Sequence, residues 1–141
     1  MIITSTTLRN RLKELWNIRD IWLLDPKYFL LDSSIVERII KDLSNKKMKF
    51  TDNVWDCDNY SRLLDAEFKK YQYICAKCSR PDKLNFTWAF GVCMGQRFNG
   101  NDINHSVNIA LCKQGVYLIE PQTDKIWKAD PDRDKLYFIM M

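Results

Sequence analysis

Asn53-Val54-Trp55-Asp56-Cys57-Asp58-Asn59-Tyr60-Ser61 sets one cysteine where an irregular acidic loop turns into a long amphipathic helix. Downstream of Cys57, Tyr60, Leu64, Phe68, Tyr71 and Cys75 recur at steps of three or four, the spacing of a single apolar helix face. Asp56 stands where an N-cap is wanted, and Asp58 and Asn59 fall in the first turn. The Cys57 thiol then sits at the positive end of the helix macrodipole, which favours the nucleophilic thiolate. A small buried core cysteine is the ordinary alternative. What sets Cys57 apart is the chain's only histidine, His105, in Asn104-His105-Ser106-Val107-Asn108, followed by Glu120-Pro121-Gln122. In that order the three side chains supply a nucleophile, a base and a carboxylate to orient the base.

Outward from this stretch, Thr6 or Thr7 can cap a first helix whose apolar stripe is Leu8, Leu12, Leu15 and Trp16. Two short apolar runs, Ile21 to Leu24 and Tyr28 to Leu31, flank Asp25-Pro26, and periodicity alone does not separate strand from irregular core there. Asp32-Ser33-Ser34 with Glu37 reads as a capping box for a second helix buried through Ile35, Val36, Ile39, Ile40 and Leu43. After Cys75-Ala76-Lys77-Cys78 and Pro81 the pattern becomes one of strands: 85–94, 105–112, 116–120, 125–128 and 136–141. A hairpin loop at Lys113-Gln114-Gly115 puts Glu120 near Asn108, and strand alternation places His105 with Val107, Ile109 and Leu111 on one face. If that face is the buried one, His105 looks toward the cysteine helix. Helices first and an antiparallel meander afterwards predict an α+β fold with the central helix packed on the sheet.

The 141 residues, 46% hydrophobic and 13% aromatic, are expected to form one domain over 1–141, with a helical part at 1–50 packed on the rest. A net charge of +4 without a basic block argues against nucleic acid as partner. The scarcity of glycine excludes phosphate-cradling glycine-rich loops. No apolar run approaches a membrane span, and Met1-Ile2-Ile3 lacks the charged start of a secretory leader. With five cysteines, an odd number, reduced thiols in a cytoplasmic setting are expected.

Trp55 to Ser61, Asn104 to Asn108 and Tyr117-Leu118-Ile119-Glu120-Pro121-Gln122 together resemble the papain-like cysteine protease domains of the fairy-ring mushroom agglutinin type. That group has stand-alone relatives in bacteriophages, and a wider likeness extends to transglutaminase-like cysteine proteases. The resemblance runs from about Val54 onward and covers none of the first fifty residues. It implies a papain-like or transglutaminase-like fold and a triad of Cys57, His105 and Glu120. It also implies calcium beside the site, held at the positions of Asp58 and Gln122, and the cysteine loop offers Asp56 as a further carboxylate. Asn53 and Asn59 stand where the group tends to carry aspartates, so weak affinity is expected, about 0.1–1 mM.

The resulting expectation is a cysteine hydrolase acting on an amide of a protein or peptide, with Asn53 as the side-chain oxyanion donor. Protease, amidase, deamidase and transglutaminase all stay open, as does the oligomeric state. The alternative is a non-catalytic module of the same fold, phage-encoded and binding a host protein. A zinc site at Cys75 and Cys78 lacks two ligands, and Asp130-Pro131-Asp132-Arg133-Asp134 reads as a solvated turn.

Overall fold

The computed structural model describes residues 1–43, 51, 56–78 and 86–141. Strand β1 (Ile2–Thr4) leads into helix α1 (Ser5–Trp16). The N-cap is Thr4, not Thr6 or Thr7: its Oγ1 accepts from the Thr7 backbone N–H at 3.2 Å. Leu8 and Leu12 are fully buried while Leu15 is 42% exposed, so the apolar stripe is narrower than its spacing implies. The two ambiguous apolar runs overlap strands β2 (Asp20–Trp22) and β3 (Lys27–Phe29), so the first fifty residues are not purely helical. Helix α2 (Ser33–Leu43) buries Val36, Ile39 and Ile40 as its periodicity requires.

Helix α3 (Cys57–Cys78) is followed by β4 (Thr87–Trp88) and β5 (Phe90–Gln96). Then come β6 (Asn104–Cys112), β7 (Gly115–Glu120), β8 (Lys125–Lys128) and β9 (Lys135–Met140). The larger sheet runs β2-β9-β5-β6-β7-β8 and the smaller β1-β3-β4. Pairing is mainly antiparallel, but β2 joins β9, and β3 joins β4, in parallel. Gly91 admits the close approach of β9, because a Cβ there would lie 2.0 Å from the Met140 carbonyl oxygen.

Both faces of the larger sheet are covered, which is why β6 is buried from Ser106 to Cys112. On one face Val107, Ile109 and Leu118 meet Leu8 and Leu12 of α1. On the other, Ala110, Ile119 and Phe90 meet Val36, Ile39 and Ile40 of α2 and Leu64 and Phe68 of α3. The fold is thus α+β, three helices on a mainly antiparallel sheet. Among the described residues no helix is long and apolar enough to cross a membrane.

Candidate active site

The start of α3 is held by its own first turn. The Asp56 carbonyl accepts from Tyr60 N–H at 3.1 Å, and Asp56 N–H donates to Asn59 Oδ1 at 3.3 Å. Asp56 therefore occupies the N-cap position, with Asn59 as the reaching-back arm of a capping box. One turn on, Ser61 Oγ donates to the Asp58 carbonyl at 3.0 Å and meets Ser106 Oγ at 2.7 Å. Asn108 Nδ2 donates to the carbonyls of Ser61, at 2.8 Å, and of Gly91, at 3.1 Å. Ser61, Ser106 and Asn108 are all buried. Further along, Phe68 stacks on Phe90 with centroids 3.8 Å apart.

These contacts make α3 run in the same direction as β6, with both starts at one end of the sheet. Cys57 lies one turn, roughly 6 Å, ahead of Ser61, and His105 lies one residue ahead of Ser106. The half-buried Cys57 is a free thiol. Its thiol makes no hydrogen bond to His105 among the described residues.

His105 Nε2 is 2.6 Å from Glu120 Oε2, both side chains being about four-fifths buried. The second carboxylate oxygen, Oε1, accepts from Gln122 N–H at 3.2 Å, so the carboxylate is held through both oxygens. Nε2 being engaged, Nδ1 is the ring nitrogen left for other chemistry. The edge of Phe98 lies against the imidazole, centroids 6.4 Å apart.

The hairpin register is one residue away from expectation: Asn108 is opposite Ile119, not Glu120. A one-residue step exchanges the faces of a strand. It is this step that turns Glu120 to the face of Leu118 and Val107, where His105 lies. A second correction follows from the same alternation. His105 does share a face with Val107, Ile109 and Leu111, but that is the α1 face. Helix α3 instead covers the face of Ala110 and Cys112. The cysteine helix and the histidine thus come to the end of the sheet from opposite sides of β6.

Asn53, the expected oxyanion donor, lies outside the described residues. Asp56 and Asp58 share a hydrogen bond, which, with burial and the Asp56 charge, holds the Asp58 carboxyl above the ordinary carboxylate range. Asp56 Oδ1 is buried without a hydrogen-bond partner among the described residues. Gln122 sits beside Glu120, and no contact joins it to either aspartate among the described residues. No cluster of three or more His, Cys, Asp or Glu side chains there is arranged to hold a metal ion. The two aspartates, one of them with an orphaned buried oxygen, fit a hard, oxygen-preferring cation in part, and Gln122 is not brought to them.

A cleft of about 390 Å³ opens against His105 and Glu120, walled by Phe98, Ile103, Gln122 and Trp127. Trp127 and Asn99, which also lines the cleft, are tied to Asp134, which is fully buried and not solvated. The Asp134 carboxylate accepts from Asn99 N–H at 2.9 Å, Trp127 Nε1–H at 3.3 Å and Arg133 Nη2 at 2.9 Å. Neither Asp134 nor the Ser61–Ser106–Asn108 contacts stood out from the sequence. A serine on the apolar face of α3, four residues after Cys57, was the available signal for the latter.

An α+β arrangement with a cysteine-led helix and a His–Glu strand pair at one end of the sheet is the class that fold and site define. Among the solved structures that share the fold are two lectin-related ones. One is described as the PSL1a–E64 complex, with a TM-score of 0.73, 17% identity, and coverage of 99% of this chain and 50% of that one. The other is Polyporus squamosus lectin bound to the human-type influenza-binding epitope Neu5Acα2-6Galβ1-4GlcNAc, with a TM-score of 0.71, 19% identity, and coverage of 99% and 49%. The chain spans about half the length of each, and at this identity the likeness is one of fold. The sequence matches no family model. No curated protein matches it.

Proposed function

We propose that the chain is a papain-like cysteine hydrolase that cleaves an amide bond of a protein or peptide. In this reading Cys57 attacks the carbonyl carbon. His105 takes the thiol proton and gives it to the leaving amine, and Glu120 fixes the orientation of the ring. The observation that carries the reading is the 2.6 Å His105–Glu120 hydrogen bond at the end of the sheet where α3 begins with Cys57. The fold it shares with a structure solved as an E64 complex supports it, since E64 is a thiol-alkylating, peptide-like epoxide. Asp56 and Asp58 would hold a calcium-like ion. Bound there, it would supply positive charge beside the helix start and relieve the repulsion between the two carboxylates.

Hydrolysis of a casein or peptide-library substrate tests the reading. Activity should vanish in Cys57→Ala and fall by about 10²–10⁴ in His105→Ala. The alternative is a binding module on the same fold. It is favoured by the absence of a hydrogen bond between the Cys57 thiol and His105 among the described residues. Hydrolysis that persists unchanged in Cys57→Ala would exclude Cys57 as the nucleophile, and its absence from the wild-type chain would leave the binding module standing.

A further inference from the structure

Resting on the hydrolase reading, we infer that Ser61, Ser106 and Asn108 are positioning residues, whose buried hydrogen bonds fix how far α3 is advanced along β6 and so the separation of Cys57 from His105. The contacts form a directed chain. The Ser61 hydroxyl has a single proton and gives it to the Asp58 carbonyl at 3.0 Å. Ser106 is therefore the donor in its 2.7 Å contact with Ser61 Oγ. Two residues on, and on the same face of β6, Asn108 Nδ2 donates to the Ser61 carbonyl at 2.8 Å. The same nitrogen donates to the Gly91 carbonyl at 3.1 Å, which brings β5 into the chain.

Where these bonds fall in the sequence gives them their role. Asp58 follows Cys57 directly and Ser106 follows His105 directly, so the chain joins the backbone beside the thiol to the backbone beside the imidazole. Ser106 and Asn108 hold β6 from the α3 side, while Glu120 holds the His105 ring from the opposite face. Further along α3, Phe68 stacked on Phe90 presses the helix to the sheet, but apolar contact is non-directional and tolerates a slide. A buried hydroxyl or amide that slides off its partner is left unpaired, and that penalty fixes the offset. No hydrogen bond joins the Cys57 thiol to His105 among the described residues, so the placement of the two elements sets their reach. A misplacement of roughly 1 Å at such a pair can cost about 10²-fold in rate.

Alkylation of Cys57 by iodoacetamide, followed by mass spectrometry between about pH 5 and pH 10, tests this. A thiolate held by an imidazolium reacts at acidic pH, whereas an unassisted thiol reacts only as it ionises by itself. Ser61→Ala and Ser106→Ala should each lower the acid-side rate by about ten-fold or more and leave the alkaline rate unchanged. The Ser61→Ala/Ser106→Ala double variant has no orphaned hydroxyl, so its melting temperature should recover toward wild type while its acid-side rate stays low. Phe68→Leu loosens the same interface away from the site; it should lower the melting temperature and keep the wild-type pH profile. An acid-side rate that recovers with stability in the double variant, or that Phe68→Leu loses equally, overturns the positioning role even where Cys57 proves to be the nucleophile. If wild type lacks acid-side reactivity, or keeps it in His105→Ala, the hydrolase reading fails and this inference fails with it.

Discussion

Asp58 carries the sharpest consequence at the scale of single residues. Its folded-state pKa lies above the ordinary value, first through the hydrogen bond with Asp56 and then through burial and Asp56's charge. A raised carboxyl pKa stabilises the fold while the proton is bound, and that stabilisation is lost as pH rises through the folded value. Asp58→Asn cannot ionise, so it should melt above wild type at pH 7, with the gap closing as pH falls below the ordinary carboxylate range. Millimolar calcium should raise the melting temperature of wild type at pH 7 and leave Asp58→Asn unmoved. Identical melting curves for the two proteins at every pH would show that the carboxylates do not oppose each other. At this scale Cys57, His105 and Glu120 could be picked out because each combines a rare chemical type with a position at an element's end. Asp134 could not, since an aspartate in a charged, proline-containing turn reads as solvated until the fold closes over it.

Elements were legible wherever hydrophobic periodicity was long. Helices α2 and α3 and strands β5 to β9 lie within a few residues of their expected places, since each alternates or repeats over many positions. The short runs around Asp25-Pro26 were undecidable locally, because β2 and β3 exist by pairing with β9 and β4, far away in sequence. The β6–β7 register differs because the turn is two residues, Lys113-Gln114, with Gly115 already paired to Cys112, whereas the face that α3 covers was set by tertiary packing. Asn108 shows how the elements are locked: it donates to carbonyls on both α3 and β5 from a fully buried position. Asn108→Ala removes both bonds while leaving the carbonyls in place, and should cost about 1–3 kcal/mol. Urea denaturation would measure it, and a change within error would mean that these bonds contribute nothing net.

At the scale of the whole molecule, Asp134 ties distant parts of the chain together. Its backbone carbonyl accepts from the Trp16 indole of α1 at 2.7 Å, while its carboxylate gathers Asn99, Trp127 and Arg133. Burial opposes its ionisation, but the Arg133 pairing and the surrounding N–H donors prevail and hold its pKa below the ordinary value. A lowered pKa gives stability that is present above the unfolded pKa and lost as pH falls through the folded one. Asp134→Asn weakens the hydrogen bonds to Asn99, Trp127 and Arg133 and should therefore destabilise by about 1–3 kcal/mol at pH 7. In thermal scans the deficit relative to wild type should shrink only below the ordinary carboxylate range. A deficit that already closes near pH 6 would contradict this assignment.

The same packing brings the start of α3 and the start of β6 to one end of the sheet, and the account stands or falls on chemistry there. The rate at which E64 modifies each thiol, followed by mass spectrometry across pH in wild type and His105→Ala, measures it directly. Cys57 should be modified alone among the five cysteines. The rate should depend on pH in wild type and fall by about two orders of magnitude or more in His105→Ala. Labelling spread over the exposed Cys78 and half-buried Cys75 as readily as Cys57, or a Cys57 rate indifferent to His105, would contradict it.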